Sequence, residues 1–337
     1  MWPDGRIRDL FGIELPIIQA PMAGPVLSDM VIAVAEAGGL GSLPCALLSP
    51  DQFRTELGMV RQRTSKPINV NFFCHEHPKQ DADRETAWRR RLAGYYVQLS
   101  IDPQAPVPTS NRTPFDSELC ELVEEFRPEI VSFQFGLPEQ SLLDHVKATG
   151  AKVLSSATTV AEACWLEDRG CDVIIAQGFE AGGHRGMFLT DDIASQVGTM
   201  ALVPQVADAV KVPVVAAGGI ADARGIVAAF ALGAAAVQIG TAYLFCPEAW
   251  VAAPHRQALR AAWDDETVLT NVFTGRPARG ILSVKWGRCR SLLLRFRLLE
   301  ARWRRCDLQL NPPDLATSCP FGRANLLAWA ANSRPAN

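Results

Sequence analysis

A chain of 337 residues with 48% hydrophobic and 20% charged residues has the make-up of a globular protein with a large core, long enough for two domains or one barrel. A formal net charge of −3 sets up no global field for nucleic acid or an acidic membrane surface, so neither is expected as a partner. Nine cysteines include no C-x-x-C pair, which excludes the common zinc and disulfide spacings and fits a reducing cytoplasm.

The first residues, Met1-Trp2-Pro3-Asp4-Gly5-Arg6, have no apolar run behind them, so no signal peptide is predicted. Eight short apolar runs follow, at residues 16–20, 39–44, 68–73, 129–136, 152–157, 173–178, 213–220 and 236–243. They are apolar throughout rather than alternating, as in parallel strands buried on both faces. Helical patterns such as 28–37 and 159–169 lie between them. Eight such alternations predict an α/β fold, a closed (β/α)8 TIM barrel. Residues 226–245 are almost uncharged but broken by Gly233 and Gly240, and read as a buried helix and strand rather than a membrane span.

Two regions break the rhythm. Residues 74–116 form an insertion after strand three, rich in charge and then in proline, and a loop of that length is expected to be a lid or subdomain. Residues 281–337 carry 10 Lys/Arg against 3 Asp/Glu. The predicted organisation is a barrel over 1–280 and an atypical basic tail over 281–337. Composition favours a frameshifted reading for the tail over a basic segment that binds a partner.

In a barrel, chemistry gathers where strands end and loops begin. Strand one ends Gln19-Ala20-Pro21-Met22-Ala23-Gly24, small enough for a flat ring to approach the backbone, or a plain βα turn. Strand three ends Asn69-Val70-Asn71; Asn71 suits the edge of a pyrimidine, or its own loop. Cys74-His75-Glu76-His77 follows, but no fourth ligand stands at useful spacing, so no metal is expected and a solvated lid segment is the preferred reading.

The stretch after strand six, Gln177-Gly178-Phe179-Glu180-Ala181-Gly182-Gly183-His184-Arg185-Gly186, has four glycines in ten residues. Such a loop can lie against a planar ligand. His184 stands inside it, and an imidazole, as a side chain that ordinarily titrates near neutrality, suits proton abstraction from an acidic C–H; the alternative is a surface histidine in a flexible loop. Strands seven and eight end Ala217-Gly218-Gly219 and Gln238-Ile239-Gly240-Thr241. Loops in those two places commonly ring a phosphate with bare N–H groups and a hydroxyl, a helix N-terminus behind them.

Taken together, PIIQAPMAG, AGGLGSL, NVNFF, QGFEAGGHRG, PVVAAGGIADARG and VQIGTAYLF, within residues 16–246, and FTGRPARG at 273–280 resemble the nitronate monooxygenases, formerly called 2-nitropropane dioxygenases. The resemblance implies FMN-dependent oxidation of alkyl nitronates, such as propionate 3-nitronate, with O2 and without a nucleic-acid or membrane partner. By position it implies Met22, Ala23 and Gly24 near the flavin ring and hydrogen bonds from Asn71 and Gln177. Gly182, Gly183, Gly218, Gly219, Gln238, Gly240 and Thr241 would lie along the ribityl chain and phosphate. His184 falls at the position of the catalytic histidine. Ser155 and Ser156 stand where some relatives have a basic residue, which leaves the subgroup open, and the oligomeric state is not legible. The alternatives are a flavin-dependent enoyl-ACP reductase, an NAD(P)H:quinone reductase, and a flavin-binding protein inactivated by its altered tail.

Overall fold

The computed structural model describes residues 2–76, 81–98, 100–102, 113–271 and 274–281. Its strands, in chain order, are β1 (Ile17–Gln19), β2 (Gly41–Pro44), β3 (Ile68–Phe73), β4 (Ile130–Gln134), β5 (Lys152–Ala157), β6 (Val173–Gln177), β7 (Gly183–His184), β8 (Val214–Ala217), β9 (Ala236–Ile239), β10 (Thr267–Thr270) and β11 (Ala278–Ile281). The helices are α1 (Arg6–Phe11), α2 (Ser28–Glu36), α3 (Pro50–Arg63), α4 (Ala82–Gln98), α5 (Ser117–Phe126), α6 (Gln140–Ala148), α7 (Val160–Asp168), α8 (Thr199–Ala209), α9 (Ala223–Ala231) and α10 (Ala253–Ala261).

Eight strands pair in parallel in the order β1-β9-β8-β6-β5-β4-β3-β2. The sheet closes where Ile18 bridges Leu40, through Leu40 N–H to Ile17 O and Gln19 N–H to Leu40 O, each 2.9 Å. This seam is thin, and the buried Gln19 side chain reinforces it. Its Oε1 accepts the Ser42 amide at 2.9 Å, and its Nε2 donates to the Ala20 carbonyl. The eight expected strands are these eight, and the fold is a TIM barrel.

Alternate residues of each strand face opposite ways. The outward set, among it Val70, Phe72, Val131, Phe133 and Ile174, packs against the helices. Phe72 meets Phe115 at 4.9 Å between centroids, and Phe115 meets Phe133 edge-on at 5.2 Å. Fully burying each such ring contributes roughly 1.5–3 kcal/mol. The inward set, including Ile18, Leu40, Ile130, Leu154, Val173, Ile175, Val215 and Ala236, fills the barrel. Ile7 and Phe11 of α1 join that inner cluster and close the N-terminal end of the barrel. Nothing in the sequence pattern marked this six-residue helix.

Several helices start where the local sequence directs. Ser49 and Gln52 form a capping box on α3 with Pro50 at its first turn, and Asp116, Thr159 and Asp222 cap α5, α7 and α9. The uncharged stretch 226–245 divides into the end of α9, β9 and a 3-10 turn, Thr241–Phe245. The expectation of a buried helix there needs correction. Of α9, Ile226 and Ala229 are buried, while Val227 is 68% exposed, because a barrel helix buries one stripe only. Among the described residues, no helix is long and apolar enough to cross a membrane.

The insertion 74–116 contains α4, while residues 77–80, 99 and 103–112, which include His77 and most of the proline-rich part, lie outside the described residues. So does the tail from 282 onward. The barrel boundary expected at 280 falls inside β11, whose last residue, Ile281, pairs with Thr267.

Candidate active site

Alternation makes the C-terminal layer of the barrel interior polar. Inward of the apolar rows come Asn71 on β3, Ser132 and Gln134 on β4, Ser156 on β5, Gln177 on β6 and Gln238 on β9, with the small Ala217 on β8. Ser132, Ser156, Asn71 and Gln177 are buried. Asn71 donates its amide hydrogens to Ser132 Oγ at 2.9 Å and to Ser132 O at 3.2 Å, so its carbonyl oxygen is what it can offer a ligand. Ser155 points away from this layer, its hydroxyl donating to the Gly136 carbonyl at 2.8 Å.

The loop after β6 lies at the rim of this layer, and polar side chains hold it on every side. Gln177 donates from Nε2 to the His184 carbonyl at 3.1 Å and accepts the Gly186 amide at 2.7 Å, which commits both ends of its amide to the loop. Glu180 reaches the start of α8 and accepts Thr199 N–H and Oγ1–H, each at 2.8 Å, a favourable place for a carboxylate. Gly178 packs so closely on Thr199 that a Cβ there would fall on the Thr199 amide and hydroxyl. Gly218, at φ +115, leaves room for the Ala181 backbone.

Arg185 is 1% exposed. Its guanidinium donates to Gly178 O at 2.6 Å, to Gln177 O at 2.7 Å and to Gln196 Oε1 at 3.0 Å. Burial, and then the nearby charge of Arg279, push its pKa down to about 10, so it remains a cation at neutral pH. Gln196 continues to Thr158, and Thr158 to the fully buried Glu162. The Glu162 carboxylate also accepts Phe188 N–H at 2.7 Å and Leu189 N–H at 3.2 Å.

A second sheet, β10-β11-β7, closes over the loop. Ala278 pairs with His184 and Arg279 with Gly183. Arg279 donates to Phe179 O at 3.1 Å, with its guanidinium 4.7 Å from the Phe179 ring. The connection into β11 places Thr274 Oγ1 at 2.8 Å from His184 Nε2. On another side of the imidazole stands Phe135, edge-on at 6.1 Å between centroids. Phe135 has φ +70, a strained conformation for a bulky residue, and it also carries the Arg276 guanidinium at 4.6 Å and the edges of Phe73 and His75.

The glycines after β6, β8 and β9 sit near one another. A Cβ on Gly182 would lie 3.4 Å from Thr241 Oγ1, one on Gly219 3.3 Å from Glu180 Cβ, and one on Gly240 3.8 Å from Met22 Sδ. Gly24, at φ +98, and Gly183, at φ +74, face open space within 4 Å, and Ala23, next to Gly24 in the chain, is half-buried. The helix terminus able to serve a phosphate is not α9, whose first amides are taken by Asp222 Oδ1 at 2.9 and 3.4 Å. The Gly240–Thr241 turn, which no side chain caps, could serve one. The cradle thus has bare backbone, a hydroxyl and a polar floor, which suits a flat ring with a terminal phosphate. Among the described residues no group of three metal-ligating side chains occurs; the Cys74–His77 set includes His77, which is not among them.

Sequence reading missed Ser132, Gln134, Phe135, Glu162, Arg185, Thr274 and Arg276. The fold is a (β/α)8 barrel of the kind enzymes use, with a loop-anchored histidine over a polar, glycine-lined mouth at its C-terminal rim. The chain belongs to the nitronate monooxygenase family, whose model matches residues 5–290, a family of flavin-dependent oxidoreductases. It is 43% identical over 279 residues to a nitronate monooxygenase of Pseudomonas aeruginosa, covering 82% of this chain and 79% of that one. To the counterpart from Paraburkholderia phytofirmans it is 42% identical over 274 residues, 81% of this chain and 75% of that one. Among solved structures it is similar to nitroalkane oxidase from Streptomyces ansochromogenes, with a TM-score of 0.74 and 35% identity over 86% of this chain and 82% of that one. It is also similar to FabK from Thermotoga maritima, with a TM-score of 0.66 and 30% identity over 88% and 80%.

Proposed function

We propose that the chain binds FMN at the rim of the barrel and oxidises alkyl nitronates with O2, His184 handling the substrate's proton or its anionic charge. The observation that carries this reading is the setting of His184: an imidazole fixed on a glycine loop, above a polar barrel layer and beside the Gly182–Thr241 contact.

In this reading Met22, Ala23 and Gly24 border the ring. Asn71 offers its oxygen to the pyrimidine edge, and Gln238 a further hydrogen bond. Gly182, Gly183, Gly218, Gly219, Gly240 and Thr241 leave the backbone open to the ribityl chain and phosphate. Gln177 acts one step back, holding the loop. The acceptance of electrons from substrate and their passage to O2 is the chemistry that a bound FMN supplies. The chain's own part is orientation and proton handling. With a neutral nitroalkane, His184 takes the α-proton, and the C–H electron pair becomes the C=N bond of the nitronate. With a preformed nitronate no proton moves, and the protonated imidazole pairs with the anion.

The test begins with the purified protein, which is expected to be yellow and to release FMN by mass spectrometry. Anaerobic mixing with propionate 3-nitronate or a primary nitronate is then expected to reduce the flavin, and NADH or NADPH to bleach it little. Release of FAD, or rapid bleaching by a nicotinamide with none by a nitronate, would overturn the reading in favour of a reductase.

A further inference from the structure

We infer that Arg276 binds a carboxylate carried by the substrate, so that the site suits a nitronate whose short chain ends in a second anion. The inference deepens the reading of the site as a nitronate oxidase and rests on it.

Three arginines stand around the His184 loop, and they differ in what their donors do. Arg185 gives its guanidinium to Gly178 O, Gln177 O and Gln196 Oε1. Arg279 donates to Phe179 O at 3.1 Å and to Thr267 Oγ1 at 3.2 Å. Arg276 is half-buried, and among the described residues its guanidinium has no hydrogen-bond acceptor and no carboxylate partner. Residues 77–80, 99 and 103–112 of the insertion, outside the described set, contain no Asp or Glu. A guanidinium offers five N–H donors in a planar fork that matches a carboxylate, and here the fork is open to a ligand.

The group is also held. Its carbon lies 4.6 Å from the centroid of the buried Phe135 ring, the geometry of a cation over an aromatic face. The backbone just after it is fixed to the His184 loop, where Pro277 O accepts the Arg185 amide at 2.9 Å and Ala278 pairs with His184.

The strand order decides which anion it meets. Phe135 follows β4, which lies four strands from β9 in the closed order of eight, so it stands across the mouth from the Gly240–Thr241 turn. A phosphate at that turn is on the far side. The nearer functional group is the His184 imidazole, edge-on to the same Phe135 ring at 6.1 Å between centroids. One aromatic ring thus carries a guanidinium on its face and the imidazole at its edge. A dianion with charges at the two ends of a short chain matches this pair, the nitronate toward His184 and the carboxylate toward Arg276.

Three measurements on the full chain with its flavin test the inference. The first uses the unaltered protein. Its kcat/KM for propionate 3-nitronate is expected to exceed that for propyl-1-nitronate, which has three carbons and no carboxylate, by at least about 10-fold. Equal values overturn the inference. The second repeats the comparison with Arg276→Met and Arg276→Lys, flavin content being read by absorbance. The Met variant is expected to lose about 10–100-fold on the carboxylated substrate, the worth of one charge-assisted hydrogen-bonded pair, and mainly in KM. On propyl-1-nitronate it should lose less than about threefold, and Lys should restore part of the difference. Loss of flavin from the Met variant would assign the guanidinium to the flavin instead, and equal losses on both substrates would make it merely structural; either result overturns the inference. The third is a calorimetric titration with succinate, whose two carboxylates stand in for the two anionic ends of the substrate. Arg276→Met is expected to weaken succinate binding at least about 10-fold, and unchanged binding overturns the inference. Failure of the nitronate reading itself shows separately, as a flavin that neither nitronate reduces, while the succinate titration still reports on Arg276.

Discussion

At the scale of single residues, the mouth of the barrel separates side chains that face a ligand from those that hold the chain in place. On the proposed reading His184 belongs with the first. Its side chain meets Thr274 and the edge of Phe135, while its backbone carbonyl is what Gln177 grips, so removing the imidazole leaves the anchoring of the loop in place. His184→Ala is therefore expected to copurify with as much flavin as the wild type. Its turnover of a neutral nitroalkane is expected to fall about 10²–10⁴-fold, the usual contribution of a general base. Wild-type turnover of that substrate by the variant would end the base assignment. Arg185 belongs with the second group. A cation at 1% exposure with carbonyl and amide partners, and no carboxylate bound directly among the described residues, makes sense as a clamp on the Gln177–Gly178 turn. In the sequence it reads as one more charge beside a glycine, which is why it passed unnoticed.

At the scale of elements, the eight barrel strands were legible because a parallel strand buried on both faces leaves an unbroken apolar run. The same uniformity hid the inner polar layer. Ser132, Gln134 and Ser156 sit within runs that are apolar at their centres, and their inward direction emerges only from pairing register. The second sheet was not legible at all. β10 and β11 are four residues each, β11 carries Arg279, and its partner β7 is two residues long and lies far earlier in the chain, His184 pairing with Ala278. No local period encodes such a contact, so Thr274 could be matched to a motif but not to His184. The tie between the loop and α7 is equally nonlocal, and it can be measured. Glu162 is fully buried and accepts from Thr158 N–H, Thr158 Oγ1–H, Phe188 N–H and Leu189 N–H. Glu162→Leu removes one acceptor group from under four donors, each costing about 1–3 kcal/mol if left buried and unpaired. Urea unfolding is expected to show a loss of at least about 3 kcal/mol, with Glu162→Gln milder because one oxygen remains. A loss below about 1 kcal/mol for the Leu variant would mean that the loop does not depend on this carboxylate.

At the scale of the whole molecule, the chain reads as two compositions joined near residue 281. The last 57 residues hold 10 Lys/Arg against 3 Asp/Glu, three of the eight tryptophans and three of the nine cysteines. The family model matches through residue 290 and so takes in the first ten residues of that segment, 281–290. The match to the Pseudomonas aeruginosa relative covers 79% of that protein's length and 82% of this chain. Residues 292–297, Leu-Leu-Leu-Arg-Phe-Arg, place cations among apolar side chains without the three-to-four spacing of a helix that packs by one face. We propose a shift of reading frame, which would account for the abrupt change of composition, the loss of periodicity and the end of the family match at residue 290. Resequencing the gene and translating its 3′ end in the other two frames is expected to yield, in one of them, a less basic segment with regular helical periodicity that extends the match to the relatives. The chain restored in this way should bind flavin at the same rim, because every residue assigned to the cradle precedes position 242. If neither frame yields such a segment, the frameshift account is wrong, and the basic tail is a native part of this chain whose partner is then to be sought.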